Sequence, residues 1–193
     1  MKYIIANILI FALFCCSNMN NEDPVQITQL NSDYHIIIKG DTINNRIVYV
    51  QFFLKYEIKK INEIFMRVSL PHYYYNCKNK WVSNELLYSR ENNDTLIYIN
   101  KSKKRILETN ESIECVVKTV HYADTTKATQ VLFVPYIDKM KREGKDTLHI
   151  ETVQQLKQTK PELINKLLKG DSIVFNFALE KGIYWEKLAI EVE

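Results

Sequence analysis

The strictest constraint on this chain lies between Val48 and Ile58. Val48, Val50, Phe52, Leu54, Tyr56 and Ile58 are apolar, while Tyr49, Gln51, Lys55 and Glu57 alternate with them. A period of two places the first set on one side of an extended backbone and the second on the other, whereas a helix would scatter both. The segment is therefore expected to be a long strand with one face in a core, and that core must come from further strands.

The same pattern recurs. Tyr34 to Lys39 is rich in isoleucine and precedes Gly40, Asp41 and the Asn44-Asn45 pair, residue types that tolerate the positive φ of a hairpin. Shorter alternations occupy Ile64, Met66, Val68 and Leu70, then Leu96 to Ile99, Ile113, Cys115 and Val117, and Val131 to Val134. At the C-terminus, Ile173, Phe175, Phe177 and Leu179 share a face, Glu180-Lys181-Gly182 forms a short loop, and Tyr184, Leu188, Ile190 and Val192 return.

Helical periodicity is expected only over about residues 152 to 169. Thr152 and Gln155 have capping-box spacing, Pro161 suits a first helical position, and Leu163, Ile164, Leu167 and Leu168 make one apolar side before Lys169-Gly170. With 46% apolar and 25% charged residues, and only 4 Gly and 4 Pro, the composition is that of one ordinary globular domain. Many antiparallel strands with one short helical segment predict a mainly β fold. The expected form is an antiparallel β-sandwich, immunoglobulin-like or related, with a curled β-barrel as the alternative.

The N-terminus has a different character. Lys2 precedes a non-polar run from Tyr3 to Phe14, broken only by Asn7, which is too short to span a bilayer and reads as the apolar region of a signal peptide. Cys15 and Cys16 close it. With Leu13 three places before Cys16, this segment resembles the precursor of a bacterial lipoprotein. The resemblance implies cleavage after residue 15, lipidation of Cys16, and, with Ser17 rather than an acid next, an outer-membrane location on the periplasmic or surface side. Residues 16 to 31 are then expected to be a lipidated cysteine and polar tether, SNMNNEDP in its Ser17 to Pro24 portion, and 32 to 193 a single β-rich domain.

If Cys15 is removed and Cys16 carries lipid, Cys77 and Cys115 remain in an oxidising compartment and form a disulfide candidate, with two buried thiols as the alternative. Phosphate loops, nucleophile elbows and the usual zinc signatures are absent from the sequence. His35, His72, His121 and His149 are dispersed; only His121 with Asp124, or His72 with Cys77, approaches ligand spacing. No metal or other cofactor and no catalytic residue is assigned. A formal charge of +3 gives no electrostatic basis for nucleic-acid binding, and Lys101, Lys103, Lys104 and Arg105 read as a solvated strand edge.

The segment Pro71 to Trp81, PHYYYNCKNKW, supplies the ligand-binding candidates Tyr73, Tyr74, Tyr75 and Trp81. Three consecutive tyrosines on an extended chain cannot all face one core, so at least one ring must point toward solvent or a partner. The expected function is a lipid-anchored, non-enzymatic binding or structural module of the cell envelope, its partners being membrane lipid and an envelope protein or glycan. A toxin-neutralising immunity lipoprotein and an envelope hydrolase are the alternatives.

Overall fold

A computed structural model describes residues 23–61, 66–69, 71–75, 86–91, 95–99, 106–107, 112–124 and 126–192. The long alternating segment is β3 (Arg46–Lys60), and the first sheet is built around it. One edge of β3 pairs antiparallel with β9 (Ser112–Tyr122) from Tyr49 to Lys59. Its other edge takes two strands end to end: β2 (His35–Asp41) along Arg46 to Gln51, and β1 (Val25–Leu30) along Lys55 to Lys60. β10 (Thr147–Thr152) extends the sheet beyond β2, and β6 (Leu86–Glu91) and β7 (Thr95–Tyr98) extend it beyond β9.

The second sheet has the order β12, β11, β4, β8, formed by Gly182–Ala189, Ser172–Leu179, Met66–Val68 and Ile106–Leu107. A further strand, β5 (His72–Tyr74), pairs with β11 beside β4. The molecule is mainly β and antiparallel, with one sheet curled as a half-barrel, an architecture that fits a sandwich or a curled barrel. Inner-face side chains of both sheets join one buried cluster, and the Tyr56 and Phe175 rings meet edge to face across the sheets at 5.1 Å.

Local chemistry fixes the turns. Between β2 and β3 the Asp41 carboxylate accepts hydrogen bonds from the Asn44 backbone N–H at 3.1 Å and from its side-chain amide at 2.7 Å, while Asn45 takes a φ of 53°. β11 and β12 pair continuously from Ser172↔Ala189 to Leu179↔Gly182, and Gly182, at φ 142°, adopts a backbone that other residues resist. Helix α3 (Val153–Thr159) opens on the expected capping box, with Thr152 and Gln155 bonded reciprocally, and α4 (Pro161–Leu168) begins at its proline.

Two expectations are corrected. Val131 to Val134 is not a strand: α1 (Lys127–Gln130) runs through a tighter 3-10 turn (Val131–Phe133) into α2 (Val134–Glu143). Thr129, Phe133, Tyr136, Ile137 and Met140 are its buried residues, a helical spacing hidden by the short apolar run VLFV. The folded unit also starts before residue 32, because β1 adds to the free half of β3 and Val25 is buried at its far end. The basic cluster at Lys101 to Arg105 lies outside the described residues.

Candidate functional site

The three tyrosines sit on and just after β5, where the pleat divides them. Tyr73, opposite Ile173, points into the core and is fully buried. Tyr74, opposite Ser172, is on the other side of the sheet and half-buried, and Tyr75 turns back to pack on the core.

Tyr73 belongs to a buried polar chain. Its hydroxyl donates to Asp171 Oδ2 at 2.9 Å; that oxygen lies 3.5 Å from His121 Nδ1, and His121 Nε2 is 3.0 Å from Thr119 Oγ1. All four side chains are buried. Phe52, Tyr73 and Tyr75 enclose the imidazole, with ring centroids at 4.9, 5.5 and 4.8 Å, and the Tyr75 hydroxyl accepts a hydrogen bond from the Val120 N–H. Burial pulls the His121 pKa down to about 3, although a hydrogen bond to the Leu167 carbonyl acts in the other direction. The ring is therefore neutral at physiological pH despite its carboxylate neighbour. Burial first, and then the Asp171 charge, push the Tyr73 phenol well above its usual pKa.

The order carboxylate, imidazole, hydroxyl is that of a nucleophilic triad. Here Thr119 has no exposed surface, so its hydroxyl meets no substrate in this conformation, and the set instead ties β5, β9 and the start of β11 together. In the sequence, His121 and Asp124 approach metal-ligand spacing. The structure brings Asp171 to His121, while Asp124 is exposed and accepts hydrogen bonds from the Thr126 N–H and hydroxyl. The available signal was parity: Cys115, Val117, Thr119 and His121 all fall on the inner face of β9.

The outer face of the second sheet has the opposite character. Directly paired residues put Arg67, Ala178 and Ile183 in one row, Asn176 and Trp185 in the next, and His72, Val174 and Lys187 in a third. Ile183 is 80% and Trp185 64% exposed, and the Lys187 ammonium lies 5.6 Å from the centroid of the Tyr74 ring. Behind the same strand, the Tyr184 hydroxyl is 3.4 Å from Glu186 and also meets the carboxylate of Asp23. Burial and these two acids push the Tyr184 pKa up to about 12.

Cys115 is a buried free thiol on the inner face of β9, its pKa pushed up to about 12 by burial. Cys16, Cys77 and Trp81 lie outside the described residues. Among the described residues no three His, Cys, Asp or Glu side chains converge as a metal site. An open depression of about 720 Å³ lies between the β2–β3 turn and the end of α2, lined by residues including Ile43, Lys141, Lys145 and Asp146. Comparison with known protein families, with curated proteins and with solved structures finds no match for this chain.

Proposed function

We propose that this chain is an exported, lipid-anchored module of the cell envelope that works by contact rather than catalysis, with the outer face of β5, β11 and β12 as its contact surface. The observation that carries this reading is the sorting of side chains between the two sides of the second sheet. The carboxylate, imidazole and hydroxyl of Asp171, His121 and Thr119, the one set in triad order among the described residues, are spent on one another inside. The exposed aromatic and apolar side chains Trp185 and Ile183, with the half-buried Tyr74, are presented outside beside cations. Aromatic rings edged by cations and amides suit an interface, where they bury area at low entropic cost. The lipobox-like cysteine supplies the anchor.

Fractionation tests both parts. Cys16→Ala should move the protein from the membrane to the soluble fraction. Tyr74→Ala with Trp185→Ala should release whatever co-purifies with the wild type from detergent-solubilised membranes, while the melting temperature changes little. Retention of Cys16→Ala on the membrane would reject the anchor. Unchanged co-purification by the double variant would reject a protein or glycan partner at this surface.

A further inference from the structure

We infer that the surface formed by Ile183, Trp185, Lys187 and Lys181 rests on the headgroup layer of the membrane that carries the anchor. This deepens the reading above and depends on lipidation of Cys16. Reach limits where the domain can sit. Only seven peptide steps separate Cys16 from Asp23, and at most about 3.6 Å per residue limits that tether to roughly 25 Å. A domain of some 170 residues has a radius of gyration of about 15 Å and is wider than the tether is long. The surface near the root of the tether is thus held close to the lipid.

Asp23, the first described residue, contacts Tyr184 and adds to the negative field at Glu186, so the root of the tether lies against β12, the strand that carries Ile183 and Trp185 on its other side. Among the described residues β12 is the edge of its sheet; Pro24 follows Asp23 and accepts a hydrogen bond from the Ile61 N–H, and Val25 then starts β1 opposite Lys60.

A tryptophan and an isoleucine standing out from a sheet edge expose apolar area to water, whereas the membrane interface accommodates an indole ring at headgroup level. Lys181 and Lys187 are exposed on the same strand and turn, and Arg67 lies in the Ile183 row. Among the described residues the acids nearby are Glu180 at the turn, the exposed Glu191 past the end of the strand and, on the inner side, Glu186 and Asp23. The cations thus dominate the outward side and suit anionic phosphate groups, each lysine near such a surface being worth roughly a fivefold change in the seated-to-unseated ratio.

The test uses the lipidated protein reconstituted in phosphatidylethanolamine–phosphatidylglycerol vesicles, with or without brominated acyl chains. Flotation with the vesicles reports the anchor, and quenching present in wild type but lost in Trp185→Phe reports this surface. The expected result is flotation together with Trp185 quenching that weakens in Lys181→Glu/Lys187→Glu and when phosphatidylglycerol is withheld. Flotation with Trp185 unquenched would overturn the inference and leave the anchor standing. So would shielding of Trp185 accompanied by a dimer in sedimentation, which would assign the surface to a second copy. Failure to float would remove the anchor, and the inference with it.

Discussion

Two buried tyrosines on facing strands carry the same hydroxyl in opposite circumstances. Tyr73 donates to a carboxylate, whereas the Tyr56 hydroxyl, buried between the sheets, has no hydrogen-bond partner among the described residues. Tyr73→Phe should therefore lower stability by about 1–3 kcal/mol, because Asp171 loses a donor that water cannot replace. Tyr56→Phe should leave stability unchanged or raise it, since the hydroxyl's desolvation is uncompensated. Thermal melts of the two variants compare the signs directly. His121 gives a pH dependence. Its folded pKa, near 3, lies below the unfolded value of 6.5, so the unfolded chain binds the extra proton between these limits. The contribution of His121 is complete above about pH 6.5 and is lost as pH falls toward 3. Urea titrations at several pH values should show this slope in wild type and a shallower one in His121→Gln; equal slopes would contradict the neutral, buried assignment.

At the scale of elements, sequence legibility followed the number of buried faces. β3, β9, β11 and β12 were readable because each sets a core side against a wetter side, and a period of two survives in the sequence. The helical end of the core was readable only where caps marked it. Thr152→Ala should cost about 1 kcal/mol through loss of the reciprocal cap and appear as a lower melting temperature with the sheets intact by circular dichroism. An unchanged melting temperature would mean that packing of Val153 and Leu156 alone sets the start of α3. The preceding helix was missed because Thr126, its N-cap, makes no side-chain capping bond and VLFV mimics a strand. Its better markers were Pro135 and Gly144, the latter left-handed at φ 63°. The site was legible in part. The pleat at Tyr73 and Tyr74 was foreseeable from the triple tyrosine, but Asp171 meets His121 only through sheet packing across 50 residues of sequence, which no local pattern encodes.

At the scale of the molecule, two antiparallel sheets enclose one core, and Asp23, the first described residue, lies at the seam between β1 and β12. The Asp171, His121 and Thr119 set is held inside, and the aromatic edge of β12 faces out on the side opposite Asp23. The whole account turns on whether that chain is moored at Cys16. Intact-mass spectrometry of protein extracted from membranes tests this most directly. The account predicts a polypeptide beginning at Cys16 and heavier than its sequence mass by a diacylglyceryl and an acyl group. A chain beginning anywhere else, or an unmodified Cys16, would contradict it.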